Sequence, residues 1–420
     1  ATFDNNNQWL SIHFDLSDAE EDMLRLRFFV SNDGGESYSI DTENATGDVG
    51  YSISPGSDKS ILWDASGKLT GEGEYIVKLV ADDLYEINIQ EIVNQVDSNR
   101  LRSDLEFIEG IRHRMTNPEH LEDIKDSIEQ RFLKAGLSAY RQDFPYGNYT
   151  GQNIIGRKEG SIYMDSAYII DGHFDTVNGS PGADDNGSAV AGLLEALRVL
   201  SYHQFDKTIN FISFDLEEEG LIGSFAYTDM GILPTETILG VLNMEMIGYY
   251  SDEANSQTFP TGFGIFYPEV QAELVADQFR GNFITNIGVE QSIPLLNAFN
   301  ESAAEYVPDL KVVSLVAPSA WQSIMPDFGR SDHAPFWLKD IPALMLTDGS
   351  NFRNPYYHTA NDLVSTLDFN FMTHVVKAVV ATVATEAGIN HSTVARTKFN
   401  ATTSIGKSWD CKDKLSPLSL

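Results

Sequence analysis

Two short segments near the middle of the chain combine residue types that bind metal ions. His173 and Asp175 stand two positions apart after an apolar run, and the aspartates Asp184 and Asp185 follow within residues 181–188. Imidazole nitrogen and carboxylate oxygen are ligands that zinc takes in proteins, and a carboxylate beside a ligating histidine can orient its ring. The pattern predicts that His173 binds a metal ion and that Asp175 orients it.

Further acidic residues and a second histidine would complete a site for two metal ions. Such a site needs one carboxylate that bridges the ions and an open position where water is activated. Asp185 is the candidate bridge, and the acidic run 217–219 offers a general base next to a ligand. Glu245 and His358 would fill the remaining positions. Each residue alone has an ordinary structural explanation, and only their combination favours hydrolytic metal chemistry.

These candidate residues follow or end short apolar strands. Apolar runs alternate with segments of helical periodicity, and they cover residues 167–170, 208–215, 238–245 and 342–348. This alternation predicts an α/β fold, with a mostly parallel sheet covered by helices on both faces. Functional groups in such sheets gather at the carboxyl ends of the strands. His173, the run 217–219 and Glu245 all fall at such ends.

The first part of the chain has the pattern of a small all-β domain. Apolar and polar side chains alternate around residues 24–30 and 75–82, which is typical of strands with one buried face. Residues 32–35 and 55–58 have the composition of turns. The spacing of these strands predicts a β-sandwich of immunoglobulin or fibronectin type.

Changes of periodicity set the expected domain limits. The sandwich takes residues 1–87, and helical periodicity starts near residue 88, so the catalytic α/β domain takes residues 88–395. Residues 396–420 are polar and are expected to form a loose C-terminal tail.

The composition restricts the partners of the protein. Of 420 residues, 62 are acidic and 28 are basic, and the net charge of -34 argues against a nucleic acid or an anionic membrane as partner. No run of about 18 apolar residues could span a bilayer. Cys411 is the single cysteine, so no disulfide forms within the chain. The chain opens on Ala1 and is strongly acidic, which predicts a secreted or periplasmic protein whose export signal has been removed.

Five motifs in the same order resemble the co-catalytic, two-zinc aminopeptidase family. That family holds secreted bacterial leucyl-type aminopeptidases and is related to glutamate carboxypeptidase and glutaminyl cyclase. The motifs are His173-Phe-Asp, Gly182-Ala-Asp-Asp-Asn-Gly-Ser, Glu217-Glu-Glu-Gly-Leu-Ile-Gly-Ser, Asn243-Met-Glu-Met-Ile-Gly and Tyr357-His. The resemblance covers about residues 90–395, and it implies a phosphorylase/hydrolase-like α/β fold that holds two zinc ions.

The resemblance also implies a role for each of these residues. It makes Asp185 the bridge between the two zinc ions and Glu217 the catalytic base. The other ligands would be His173 and Glu245 for one ion, and Glu218 and His358 for the second. A cis peptide bond is implied between Asp185 and Asn186, and Tyr357 is placed to hydrogen-bond a developing oxyanion.

Two features bear on the substrate. Aminopeptidases of the family usually carry aspartate where this chain has Glu245, and in more distant two-zinc exopeptidases a glutamate there accompanies carboxypeptidase activity. Residues 329–337 resemble a further family block, in which Arg330 could contact a substrate terminus and His333 could line the pocket. Ser331 in this block is equally suited to cap a helix.

The sequence therefore predicts a zinc-dependent exopeptidase that acts on peptides. The favoured form is an aminopeptidase that removes N-terminal residues through a metal-activated water, with Glu217 as general base. The alternative is a carboxypeptidase or dipeptidase on the same site. A glutaminyl cyclase is less favoured because those relatives use one zinc ion and lack the first histidine. A non-catalytic binding protein is also less favoured, because such family members have lost ligands and this chain has a suitable side chain at every ligand position. The sequence predicts neither the oligomeric state, the side-chain preference nor the role of the sandwich.

Overall fold

The computed structural model of the chain describes residues 1–18, 21–35, 37–69, 71–83, 87–401 and 418–419. Its first seven strands are β1 (Thr2–Asp4), β2 (Trp9–Ser17), β3 (Leu24–Ser31), β4 (Ala45–Gly47), β5 (Gly50–Ile53), β6 (Gly56–Asp64) and β7 (Gly73–Asp82). The last two are β18 (Thr393–Ala401) and β19 (Leu418–Ser419).

Between β7 and β18 lies a region in which helices and strands alternate. Its first half contains α1 (Ile89–Val93), α2 (Ser98–Ile108), α3 (Pro118–Lys134), β8 (Ser138–Tyr146), β9 (Tyr149–Lys158), β10 (Tyr163–His173), α4 (Ala189–Leu200), β11 (Gln204–Phe205), β12 (Lys207–Phe214), α5 (Ile222–Met230) and β13 (Thr237–Glu245). Its second half contains α6 (Phe263–Phe266), α7 (Pro268–Ala276), β14 (Ile284–Gly288), α8 (Ile293–Tyr306), β15 (Val312–Val316), α9 (Trp321–Ile324), α10 (His333–Trp337), β16 (Ala343–Thr347), α11 (Phe369–Glu386) and β17 (Ile389–Asn390).

The first strands form the predicted all-β sandwich. One sheet has the order β1-β2-β6-β4, with β19 beside β2, and the other has the order β18-β7-β3-β5. Side chains of alternating positions fill the core between the sheets, among them Leu26, Phe28, Val77 and Leu79. Successive side chains of a strand point to opposite faces of the sheet, so the alternating pattern in the sequence places every second side chain in this core.

Strand β18 corrects the expected loose tail for residues 396–401. It pairs antiparallel with β7 from Thr393 opposite Ala81 to Ala401 opposite Gly73. Phe399 is buried in the sandwich core and stacks on Tyr75, with 5.3 Å between the ring centroids. This strand completes the sandwich from beyond the α/β region, a pairing too distant in sequence for local pattern to reveal. The rest of the predicted tail, residues 402–417 and 420, lies outside the described residues.

The α/β region is built on one eight-stranded sheet of order β15-β14-β16-β13-β10-β12-β9-β8. The central strands β12, β10, β13 and β16 run parallel to one another, whereas β8 and β9 form an antiparallel hairpin at one edge. Helices cover both faces, with α2, α4 and α11 over one core and α5, α7 and α10 over the other. The predicted fold class is therefore confirmed.

The carboxyl ends of the central strands meet at one edge of this sheet. Strand β10 ends at His173, which lies opposite Phe214 at the end of β12, and β13 ends at Glu245, opposite Thr347 of β16. Parallel strands bring these ends together although they are far apart in sequence. Among the described residues, no helix has the length and apolar character needed to cross a membrane.

Candidate active site

His173 stands at the centre of a buried group of carboxylates. Its Nε2 atom lies 3.3 Å from a carboxylate oxygen of Glu245, 3.6 Å from Asp185 and 3.7 Å from Glu217. The histidine comes from the end of β10, and the three acids come from three later segments of the chain. His173, Asp185 and Glu245 thus form one group whose atoms could surround a single ion.

His358 completes a second group on the other side of Asp185. Its Nε2 atom lies 3.0 Å from Asp185 Oδ2 and 3.2 Å from Glu218 Oε2. Asp185 therefore offers one carboxylate oxygen to each histidine, Oδ1 towards His173 and Oδ2 towards His358. The structure brings all five predicted ligands together as two clusters that share one carboxylate.

The chemistry of these clusters fits divalent metal ions. His173 Nε2 and Asp185 Oδ2 are buried, and their contacts with Glu245 and His358 lack hydrogen-bond geometry. Buried polar atoms that make no hydrogen bond are costly, and bound cations would satisfy both atoms. Imidazole nitrogens with carboxylate oxygens form a donor set that suits zinc.

Negative charge is concentrated in this site. Burial raises the pKa of Glu217 well above its ordinary value, and Glu245 and Glu218 add to the shift against the opposing effect of His173. Burial and the nearby Asp185 raise the pKa of Glu218 to about 7. Burial alone would lower the pKa of His173, but Glu217 and Glu245 outweigh it and raise that pKa well above its usual value. A bound cation would relieve this repulsion between carboxylates.

The residue after Asp185 ties its loop to the neighbouring strand. The peptide bond between Asp185 and Asn186 is cis, as the family resemblance implied. The Asn186 side chain donates to Met244 O (3.0 Å) and accepts from Met246 N (2.9 Å), so it ties this loop to the end of β13. The loop and Glu245 are thereby held in a fixed relation.

Asp175 holds two parts of the site at once. The His173 Nδ1 atom lies 3.2 Å from the backbone oxygen of Asp175 and 3.5 Å from its carboxylate. The same carboxylate accepts from the backbone N–H groups of Glu217 (3.0 Å) and Glu218 (3.2 Å). Asp175 therefore faces the histidine ring and also positions the acidic run 217–219. The sequence pattern indicated only the contact with His173.

Arg330 and Tyr357 lie side by side at the rim of the site. Arg330 donates to the Tyr357 hydroxyl (2.9 Å) and to Asn351 Oδ1 (2.9 Å), and it forms an ion pair with Asp327 (3.3 Å). The Tyr357 ring stacks on the ring of His358, with 3.8 Å between their centroids. Tyr357 thus has its hydroxyl fixed by Arg330 and its ring fixed by a predicted ligand.

The block around Arg330 differs from expectation in two ways. His333 does not line the pocket, because it is fully buried with its ring nitrogens facing Phe328 O (2.7 Å) and Asn243 Oδ1 (3.2 Å). Burial lowers the pKa of His333 to about 4, which keeps the ring neutral. Ser331 does not cap α10, since its hydroxyl donates to Glu245 Oε2 at 2.7 Å.

Two buried residues that the sequence did not single out also position the site. Arg112 is fully buried and donates to five backbone carbonyl groups, those of Ile108, Gly110, Phe174, Pro181 and Gly182. The Asp362 carboxylate accepts from the backbone N–H groups of Asp184 (2.9 Å) and Asp185 (3.1 Å). Neither residue belongs to a motif, and no local signal in the sequence could have revealed these long-range contacts.

An apolar cavity of about 60 Å³ adjoins the clusters. Glu245, Arg330 and Tyr357 lie along it, and its apolar wall consists of Phe259, Pro260, Ile287, Leu315, Phe328, Met345 and Phe352. Most of this wall comes from residues 251–328, in which the sequence showed no readable motif. The cavity can hold an apolar side chain next to the clusters.

Comparison with known proteins gives the family. The model of peptidase family M28 matches residues 153–383. An Escherichia coli protein, described as the uncharacterized protein YfbL, is 31% identical over 284 residues, which are 63% of this chain and 80% of that protein. A probable leucine aminopeptidase from Arthroderma benhamiae is 27% identical over 227 residues, half of each chain.

Two further comparisons agree with this result. A probable zinc metalloprotease from Pyrenophora tritici-repentis is 29% identical over 61% of this chain and 55% of its own, so the chain spans about half the length of both fungal relatives. The Legionella pneumophila LapA aminopeptidase has the same fold, with a TM-score of 0.55 and 22% identity over 73% of this chain and 77% of that one. Because the family model covers more than half of the sequence and the eight-stranded fold agrees, the chain belongs to peptidase family M28 and is a metallo-exopeptidase, as its motifs predicted.

Proposed function

We propose that the protein is a zinc-dependent aminopeptidase that removes apolar residues from the N-termini of peptides. The observation that carries the proposal is the pair of ligand clusters that share Asp185 beside an apolar cavity. The names of the fungal relatives, a leucine aminopeptidase and a zinc metalloprotease, support it.

Two zinc ions would be held by the residues of the two clusters. His173 and Glu245 would hold one ion, Glu218 and His358 the other, and Asp185 would bridge them. When bound, such ions polarise the scissile carbonyl group and acidify water. The loops that present these ligands are held by Asp175 and Asp362, so the ligands are oriented before any ion binds.

Glu217 is the residue best placed to move the proton. It belongs to neither ligand cluster, yet its carboxylate lies 3.7 Å from His173 Nε2 and is almost completely buried. A carboxylate in this position can take a proton from the attacking water and return it to the amine that leaves. Its raised pKa, caused mainly by burial, favours the uptake of that proton.

Tyr357 is positioned to stabilise the oxyanion. Its hydroxyl oxygen accepts a hydrogen bond from Arg330, so its own hydrogen is left to donate to the developing negative charge. Arg330 therefore acts on the reaction through Tyr357, as well as lying along the cavity that would receive the substrate.

The charges around the cavity favour a substrate with a free amino group. Glu245 and Asp327 lie along the cavity and would attract an ammonium group. Arg330 is the only cation along this cavity among the described residues, and it already contacts Asp327, Asn351 and Tyr357. A carboxypeptidase or dipeptidase is the second candidate, because Glu245 replaces the usual aspartate and Arg330 is partly exposed at the rim.

Metal content and blocked peptides test the proposal together. We expect two zinc ions per chain, and hydrolysis of peptides with free or amidated C-termini that stops when a chelator is added. N-acetylated peptides should survive. Cleavage of N-acetylated peptides with free C-termini would instead establish the carboxypeptidase, and a protein that binds no metal after zinc supplementation would contradict the whole proposal.

We also propose that the enzyme works outside the cytoplasm. The net charge of -34 supports this because high charge of one sign keeps a protein soluble in a salty medium. Fractionation of the source cells tests it, and recovery of the protein in the cytoplasmic fraction alone would contradict it.

A further inference from the structure

A second cavity lies behind one wall of the cavity next to Glu245. It has a volume of about 410 Å³ and is open to solvent, and its far side is formed by Asn255, Gly262, Phe263, Gly264, Gln271 and Phe279. Residues 257–260 line both cavities and form the partition between them. The size of the cavity next to Glu245 therefore depends on these four residues.

Three of the four partition residues are held by their neighbours. Gln257 accepts from Arg353 Nε (2.6 Å) and donates its backbone N–H to Phe279 O (2.9 Å). Thr258 donates to Phe352 O through both its backbone and its hydroxyl group, and Pro260 accepts from Phe263 N. The backbone of the partition is therefore held on both sides of Phe259.

Phe259 is the large side chain of the partition. Its ring stacks on Phe263, with 4.2 Å between the centroids and an angle of 23° between the planes. Among the hydrogen bonds of the described residues, none involves the backbone of Phe259. Because this ring lines both cavities, its removal would widen the opening between them without breaking a hydrogen bond.

The volume next to Glu245 suits a medium-sized side chain. The cavity measures about 60 Å³, against about 410 Å³ for the cavity behind the partition. A leucine side chain has four carbon atoms and a tryptophan side chain has ten non-hydrogen atoms, so we expect the smaller cavity to favour leucine.

We propose that Phe259 is the specificity-determining residue that sets the upper size limit for the first residue of the substrate. Its replacement by alanine would extend the pocket into the cavity behind it and admit large aromatic side chains. This inference rests on the proposed aminopeptidase function, since it assumes that the first side chain enters the cavity next to Glu245.

The test compares leucine and tryptophan p-nitroanilides as substrates of three zinc-loaded proteins. The wild type should prefer leucine. Phe259→Ala should raise the ratio of kcat/KM for tryptophan over leucine by at least about tenfold, the scale on which apolar pockets discriminate by size. Gln271→Ala is the matched control, because it enlarges the rear cavity without touching the partition, and it should leave the ratio within about twofold of the wild type.

Two results would overturn the inference. One is a wild type that cleaves the tryptophan substrate as well as the leucine substrate. The other is a folded, zinc-loaded Phe259→Ala variant with an unchanged ratio. If the wild type cleaves neither substrate, the proposed function fails, and calorimetric binding of free leucine and free tryptophan to the same three proteins then decides the size limit. Equal preference in wild type and Phe259→Ala would reject the role of Phe259.

Discussion

A buried lysine between the sandwich and the α/β region provides a quantitative test of the structure. Lys78 lies on the face of β7 opposite the sandwich core, and it is fully buried. Its amine lies 2.9 Å from the sulfur of Met164 and within 4.1 Å and 5.0 Å of the ring centres of Tyr38 and Phe29. Among the ion pairs of the described residues, none includes this amine.

Burial without a carboxylate partner destabilises the charged form of Lys78. Burial lowers the pKa of Lys78 from 10.5 to about 8; Arg396 adds to the shift, while Glu159 and Asp165 oppose it. This difference corresponds to about 3 kcal/mol of destabilisation while the amine is charged. Because the unfolded chain binds the proton more tightly, this cost is fully present below pH 8 and disappears as the pH rises towards 10.5.

Replacing Lys78 by methionine should therefore stabilise the protein at neutral pH. The variant avoids the cost of about 3 kcal/mol and loses cation–π contacts worth about 1 kcal/mol, so we expect a net gain of about 2 kcal/mol at pH 7. By pH 10 most of the wild-type cost has gone, and the gain should fall below about 1 kcal/mol. Urea unfolding of wild type and variant at both pH values measures the difference in their free energies of unfolding. Other groups titrate in both proteins alike, so their contributions cancel in this difference.

The matched control for this prediction is Lys398→Met. Lys398 lies on the neighbouring strand β18, is largely exposed and pairs with Glu74. Its replacement should change the free energy of unfolding by less than about 0.5 kcal/mol at either pH. A Lys78→Met variant that is less stable than the wild type at pH 7, or equally affected at pH 7 and pH 10, would refute the reasoning.

Two further predictions concern the active site. Glu217→Gln should keep zinc and lower kcat by about 10²–10⁴-fold. The control is Glu219→Gln, which should keep nearly wild-type activity because the Glu219 side chain faces Arg114 and Tyr146 instead. Equal activity of the two variants would reject Glu217 as the base. Asp362→Asn loses one of its two bonds to the backbone of the Asp185 loop and should weaken zinc binding by about 10–100-fold in competition with a chelating dye. Unchanged zinc affinity would show that Asp362 does not orient the ligand.

The central sheet and the predicted site residues could be anticipated because both depend on local signals. Short apolar runs identify buried parallel strands, and the polar residues that follow them must meet at one edge of the sheet. His173 at the end of β10 and Glu245 at the end of β13 are the clearest cases, since their strands lie side by side. The structure brings the predicted metal ligands to this edge.

The contacts that position the site could not be anticipated in the same way. Asp362 reaches the backbone of Asp184 and Asp185 across nearly half of the sequence, and Arg112 binds carbonyl groups of two separate loops. Side chain to backbone bonds of this kind need no particular residue at the acceptor position, so they leave no motif. The partner of Ser331 could not be predicted either. Serine is a common helix cap, but the hydroxyl group of Ser331 donates to Glu245, which is distant in sequence.

The path of the chain also links the sandwich to the α/β region during folding. The polypeptide leaves the sandwich after β7 and returns as β18, and these two strands pair along nine residues of β18. Phe399 and Ala401 of β18 complete a core that otherwise consists of residues from the first 81 positions. Since β18 follows the whole α/β region, the sandwich cannot be completed until that region has been synthesised. On the outer face of the β18–β7 sheet, Lys78 contacts Met164 of the α/β region, and Arg396 forms an ion pair with Glu159 of that region. The sandwich thus depends on β18 and contacts the α/β region, which makes its stability a property of the two parts together.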